Sequence, residues 1–324
     1  MIPTIDGEMG DWDIVGEEYS VGLDQLTDDR DSNIHMADPK NLDVKVKVGW
    51  VKGMNRLYVL YQAYDDYWDF SRPDRHNDIF ELVVDGDRSG GPFINPFRPV
   101  KNVDLMEAYF SFQGVQAQNY HIYTPAVGKE WAFVWGTQQW IKRLPFANAS
   151  YKYDFSPGDS GKLILEFWIT PFDYAGSEGP SRAIESVLTE NKNIGLSWAV
   201  LDYDDVRAKD YNGFWNLSKK REMYGDASFL LPFRLMPLEN RFDKSIDAQW
   251  SFSVVDMNRR VVSFSDESSG NITSWTWDFG DGEVSNEQHP IHKYSKPDLY
   301  SVILWIEGPL GKSHMAKVRE VVLK

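Results

Sequence analysis

An all-β chain folded as antiparallel β-sandwiches is the class this sequence predicts. Three observations carry the prediction. Apolar residues recur at every second position or in short unbroken runs, clusters of Gly, Pro and Asp separate those runs, and no long stretch repeats with a helical period. The 324 residues are 42% hydrophobic and 15% aromatic, with 13 Trp. That is enough apolar mass to offset chain entropy, and large rings suit strands better than helical bundles. Two domains are the expectation for this length.

The elements follow in order. Val44, Val46, Val48 and Trp50 alternate with Lys45, Lys47 and Gly49, which predicts a half-buried strand. After a loop at Met54-Asn55-Arg56, Leu57 to Tyr64 is almost continuously apolar or aromatic and predicts a second strand. Ile79 to Asp85 predicts a third, closed by the turn string Gly86-Asp87-Arg88-Ser89-Gly90-Gly91. Leu163 to Ile169 and Ile194 to Val200 are later strands of the same kind, and Ser181 to Asn191 is read as a short helix between them. Short, turn-rich links in place of helical crossovers point to antiparallel sheets packed face to face. A polar, Pro-punctuated stretch then breaks the pattern. The division is 1–236 as one sandwich, 237–250 as a linker and 251–324 as a second, smaller sandwich.

Charge narrows the function classes. Lys and Arg number 34 against 49 Asp and Glu, a net charge of −15. Residues 251–324 hold eight basic and ten acidic residues, so the first 250 carry −13. Phosphate backbones and anionic membranes repel such a surface, which argues against nucleic-acid and membrane-surface binding. Cysteine is absent, which excludes disulfides, thiol catalysis and thiolate metal sites. No apolar run approaches the ~18 residues of a membrane helix. The first residues form no export leader, which leaves either a cytoplasmic protein or one that works outside the cell or at its surface and whose leader was removed, the latter being the expectation. The six His fall in no HExxH string, and no GxSxG or Walker A string occurs. Paired carboxylates are plentiful, but small sandwiches lack the long cleft of most glycoside hydrolases, so no catalysis is expected.

The most specific string is Trp275-Thr276-Trp277-Asp278-Phe279-Gly280-Asp281-Gly282, where Gly-Asp-Gly forces a turn with positive φ. His292-Lys293-Tyr294 and Tyr300-Ser301-Val302-Ile303-Leu304 follow it. Over 251–324 this order resembles the polycystic-kidney-disease (PKD) domain, which implies an immunoglobulin-like sandwich serving as a spacer or protein-interaction module. Asp298 stands where the family usually has Gly, so a left-handed Asp is expected there. The resemblance accounts for Asp278, Asp281 and His292 by turn geometry rather than catalysis.

In the larger part, Ile5-Asp6-Gly7, Asp11-Trp12, Tyr64-Asp65-Asp66, Asn77-Asp78-Ile79-Phe80-Glu81-Leu82-Val83-Val84-Asp85, Leu201-Asp202-Tyr203-Asp204-Asp205 and Gly213-Phe214-Trp215 occur in sequence. In this order they resemble family 9 carbohydrate-binding modules and their DOMON-type relatives over about 2–236. The resemblance implies poly- or oligosaccharide binding, with Glu81 at the carboxylate position that contacts sugar in characterised members and Asn77 beside it. The family's two stacking Trp are replaced by Arg75 and Ser218. Trp68, Trp215, Trp135 and Trp140 are therefore the alternative stacking candidates, with Trp131 a further one, and Arg75 is suited to stack on or fork to a sugar or uronate. Trp50, Trp168 and Trp198 are expected in the core and Trp12 at the sandwich end. The resemblance also implies structural calcium. Asp85 and Asp87 are the chosen ligands, and Asp65-Asp66 and Asp202-Asp204-Asp205 are further clusters. Two other readings stay open: an envelope scaffold that binds a protein, and a haem-binding DOMON-type protein using His76 and Met106.

Overall fold

The structure, a computed structural model, describes residues 2–30, 33–98, 101–239 and 246–323, and it divides into two units, Met1–Met236 and Pro237–Lys324. Of the stretch read as a linker, 240–245 lie outside the described residues. Ile246, Ala248 and Trp250 are buried in the core of the second unit, so that part is domain and not linker.

The first unit is a sandwich of two antiparallel sheets. One holds β1 (Val21–Gly22), β2 (Leu42–Trp50), β3 (Leu57–Asp65), β7 (Ala147–Tyr153) and β8 (Gly161–Ile169), in the order β1-β2-β3-β8-β7. The other holds β4 (Ile79–Asp85), β5 (Gln118–Tyr123), β6 (Ala132–Val134), β11 (Asn193–Asp202) and β12 (Gly213–Asn216), in the order β12-β11-β4-β5-β6, with β13 (Leu231–Arg234) also on β11. A small ribbon pairs β9 (Phe172–Tyr174) with β10 (Ile184–Glu185). That ribbon replaces the expected helix at 181–191. Ile184 and Glu185 send their backbone bonds across to Tyr174 and Phe172, and only a 3-10 turn remains at Pro180–Arg182. The α-helix among the described residues is α1 (Leu105–Ser111), capped by Asp104, whose carboxylate accepts from the amides of Met106 and Glu107.

Between the sheets, Val44, Val46, Val59, Tyr61, Leu165 and Phe167 face Phe80, Leu82, Tyr120, Ile122, Trp198 and Val200. The second sheet is covered on its other face as well. Ile79, Val83, Ala199, Leu201 and Phe214 pack there under Phe93, Ile94 and Met223. Burial on both faces explains why β4 and β11 read as unbroken apolar runs rather than alternations. The first sheet's outer face carries a smaller cluster of Trp12, Tyr58, Leu60 and Trp168. Trp12 therefore covers a face rather than plugging the sandwich end, and its Nε1 donates to Glu166 Oε1 at 2.7 Å.

The second unit packs β14 (Trp250–Asp256), β15 (Val261–Asp266) and β18 (Ile291–Lys293) against β16 (Ser274–Asp278), β17 (Val284–Ser285), β19 (Leu299–Gly308) and β20 (Gly311–Val322). Gly280 and Gly282 have φ of 78° and 94°, as the turn string requires. Asp278 accepts from Gly280 N, and Asp281 bonds Glu283 N and His292 Nε2. These three residues hold a turn. Asp298 is not among the residues with positive φ, so the expected left-handed Asp is corrected; its carboxylate accepts from Leu299 N instead.

Candidate functional site

Strand register assembles the site. Glu81 on β4 pairs with His121 on β5 and with Ala199 on β11, and all three project from the outer face of the second sheet. On the same face of β5 stand Asn119 and Tyr123, two positions either side of His121. Asn119 Nδ2 donates to Glu81 Oε1 at 2.6 Å and to the Tyr224 carbonyl at 2.8 Å. His121 places Nδ1 3.2 Å from Glu81 Oε2 and Nε2 3.1 Å from the Arg75 carbonyl. A carbonyl can only accept, so Nε2 is the donor in that contact. Glu81 and His121 are each 3% exposed, so this pair is a floor that solvent hardly reaches.

Around the floor stands a partly exposed aromatic rim. Tyr123 and Trp135 meet the His121 ring edge-on at 5.9 and 6.2 Å, and Phe133 flanks Trp135 at 5.4 Å. On the other side Tyr211 and Tyr224 contact Phe214, with ring centroids 5.9 and 6.4 Å away. Burial pushes the Tyr211 and Tyr224 phenols up, the charge of Glu81 adds to the rise, and Arg221 pulls both down. Two polar atoms here are buried with no hydrogen-bond partner among the described residues, Trp135 Nε1 and Asn119 Oδ1.

The structure brings Arg75, Glu81 and Trp135 together and places Trp68, Trp215 and Asn77 in the interior. Trp68 is 1% exposed, stacked on Phe155 at 4.8 Å, with Nε1 donating to the Gly161 carbonyl. Its polar neighbours in sequence gave no sign that the 154–161 segment would cover it. Trp215 is buried because its β12 position pairs with Val200 and turns the ring into the sandwich core. Trp140 is packed partly buried against Phe146 and Phe172. Asn77 is fully buried and braces the 72–77 loop, bonding Arg72 N and the Asp74 carbonyl. Trp68, Trp215 and Asn77 are buried and offer no stacking shelf, whereas Trp140 keeps a partly exposed ring and an Nε1 with no partner among the described residues. His76 bonds Asp74, and Met106 is exposed on α1, so neither sits in an apolar pocket suited to haem. Sequence reasoning missed His121, Asn119, Tyr211, Tyr224 and Arg221. The alternation Asn119-x-His121-x-Tyr123 marks one face of a strand, but its pairing with Glu81 requires the register.

A second cluster lies where β3 and β11 end and β4 begins. Asp65, Asp78 and Asp202 are all buried, with an oxygen of each within 4.8 Å of the others. Two ligands on opposite sides of a calcium ion at ~2.4 Å are about that far apart. Asp78 accepts from the amides of Asp69 and Tyr203. Asp202 Oδ1 is buried without a partner, and Asp66 and Asp204 extend the cluster through Asp65. Burial and mutual repulsion push Asp65 up to about 8 and Asp202 up to about 7. This donor set of carboxylate oxygens fits a hard cation. The expected ligands Asp85 and Asp87 fit less well. Asp85 is buried and bonds Gly90 N, Asp87 is exposed, and neither belongs to the three-carboxylate groups.

A cavity of about 620 Å³ opens on the outward side of β2, β3 and β8, lined by Met9, Met36, Lys45, Gln62, Tyr64 and Lys162 among others. Tyr64 is its one aromatic ring, so it offers little stacking surface, and the aromatic rim around Glu81 is the better candidate for a sugar.

The chain is thus an all-β protein of two sandwich units, and comparison with known proteins gives its parts a context. Residues 253–322 match the family model of the PKD domain, so the second unit carries one. The pre-pro-metalloprotease PrtV of Vibrio cholerae is 36% identical over 66 residues, 20% of this chain and 7% of that protein. Collagenase ColQ1 of Bacillus cereus is 36% identical over 58 residues, 18% of this chain and 6% of that protein. The chain therefore spans less than a tenth of the curated relatives it matches. Among solved structures, a family 9 carbohydrate-binding module from Caldicellulosiruptor kristjanssonii in complex with cellotriose is similar over 75% of this chain and 93% of its own, at 16% identity and a TM-score of 0.45.

Proposed function

We propose that the first unit is a non-catalytic carbohydrate-binding module, joined to a PKD domain that acts as a spacer or protein-interaction module in a protein exported from the cell or held at its surface. The observation that carries this reading is the aromatic rim of Trp135, Tyr123, Tyr211 and Tyr224 around the Glu81–His121–Asn119 floor. Pyranose rings stack their C–H faces on flat aromatic rings and need fixed polar partners for their hydroxyls. Trp135 Nε1 and Asn119 Oδ1 lie buried beneath this rim, unpartnered among the described residues. Glu81 has both oxygens engaged by its neighbours, so its role is to hold Asn119 and His121 in place rather than to act on substrate. Affinity electrophoresis of the chain through gels containing soluble polysaccharides tests this. Retardation that is lost in Trp135→Ala supports the reading, and equal mobility in every gel refutes it.

Structural calcium is part of the same proposal. Asp65, Asp78 and Asp202 would hold the ion, which supplies the positive charge these buried carboxylates otherwise lack and ties β3 of one sheet to β4 and β11 of the other.

A further inference from the structure

The basic residues beside the rim are placed against the grain of the chain. With 49 acidic and 34 basic residues, an arginine has many carboxylates to pair with. Arg75 and Arg221 pair with none among the described residues and lie on aromatic faces instead. Arg75 sits 5.1 Å from the Trp135 ring centre, and Arg221 sits 5.4 Å from Tyr211 and 5.7 Å from Phe214. Lys129 joins them 4.6 Å from Tyr123, its Nζ bonded to the Arg72 carbonyl and Asn77 Oδ1 and to no carboxylate. An arginine stacked on a ring keeps its N–H edge free for a planar anion. Arg221 spends one N–H on the Tyr211 hydroxyl.

The acidic groups nearby are already engaged. Glu81 accepts from Asn119 and meets the His121 ring, and Asp74 takes the amide and ring of His76. Asp29 accepts the amide of Arg221, while the exceptions are Glu222, whose Oε2 is buried and unpartnered among the described residues, and Asp210, exposed beside Tyr211. The rim as a whole carries three cations on aromatic faces in a chain whose net charge is −15.

From this placement we infer that the ligand is an anionic glycan, one whose sugar ring bears a carboxylate, with Arg75 and Arg221 as the residues that select it over a neutral sugar. This rests on the carbohydrate-binding reading and deepens it. A hexuronate presents the same stacking face as a neutral hexose, and its ring carboxylate matches the guanidinium fork.

The test is isothermal titration of the full chain with three oligosaccharides of matched length: an oligogalacturonate, a cello-oligosaccharide and a sulfated neutral oligosaccharide. Wild type and the variants Arg75→Gln and Arg221→Gln are compared, with thermal melts confirming that each variant folds. The expected result is that the oligogalacturonate binds at least about tenfold tighter than the neutral sugar, and that it weakens as NaCl rises from about 20 to 300 mM. Each variant then loses about tenfold for the uronate, the equivalent of ~1.4 kcal/mol, and little for the neutral sugar. Equal or tighter binding of the neutral sugar overturns the inference and leaves the carbohydrate reading standing. Binding of the sulfated sugar alone overturns the choice of carboxylate. Binding of none of the three overturns the carbohydrate reading together with the inference.

Discussion

Asp202→Asn gives a prediction of unusual sign, because removing a charge from the interior should stabilise the protein in one condition and remove a response in another. In the metal-free chain Asp202 is held at about 7 against an ordinary 3.8, chiefly by burial and then by Asp204. An acid raised in this way binds its proton more tightly when folded than when unfolded. Its stabilising effect is complete below the ordinary value and fades as pH climbs through about 7, with Asp65 following near 8. At about 1.4 kcal/mol per tenfold change, the displacement of Asp202 corresponds to a ceiling of ~4 kcal/mol at pH 8. For a unit of this size that is roughly 8–16 °C in Tm. The neutral amide keeps an oxygen for Trp215 Nε1, which lies 3.5 Å from Asp202 Oδ2. In EDTA at pH 8 the variant should therefore melt above wild type, and the gap should shrink to less than half by pH 5 and close only below about pH 4. Calcium should raise the wild-type Tm strongly at pH 8, weakly at pH 5, and the variant little at either. Differential scanning calorimetry across that grid reads all of this. A variant that melts below wild type in EDTA at pH 8, yet gains as much from calcium, would refute the reasoning.

Other perturbations separate structure from recognition. Trp68→Ala should cost about 3–5 kcal/mol in denaturant melts, as a buried ring lost from its stack on Phe155, while leaving sugar affinity of the folded fraction unchanged. Glu81→Ala strips the acceptor from both Asn119 and His121 inside the fold, so a loss of about 2–4 kcal/mol is expected in the same melts. In the second unit, Gly280→Ala would place a Cβ 2.4 Å from the Ser301 carbonyl oxygen at a φ of +78°. Hydrogen exchange should show residues 274–304 opening by at least about 2 kcal/mol more readily, with the first unit unaffected.

The sheets were legible because burial leaves a mark on composition. Val44 and Val46 against Lys45 announce one buried face, and the unbroken run at Ile79–Asp85 announces two. The fate of a loop aromatic left no such mark. Trp68 stands among Tyr67, Asp69 and Arg72, and what covers it is Phe155, far along the chain. Glu81 was readable from its strand motif and Trp135 from its aromatic neighbourhood. Their partners were not, because His121 meets Glu81 only through the register of β4 with β5, and Tyr211 and Arg221 lie on the segments either side of β12. The carboxylates followed the same logic. Asp85 and Asp87 are close in sequence across a turn, whereas Asp65, Asp78 and Asp202 converge only when the two sheets pack.

Titrating a binding oligosaccharide into wild type, Trp135→Ala and Trp305→Ala goes most directly to the central claim, since Trp305 is 38% exposed on the second unit and serves as an indole outside the rim. The account predicts saturable binding with one site per chain, preserved in Trp305→Ala and reduced about tenfold or more in Trp135→Ala. Binding that survives the loss of Trp135 intact, or that disappears with Trp305 instead, would contradict it.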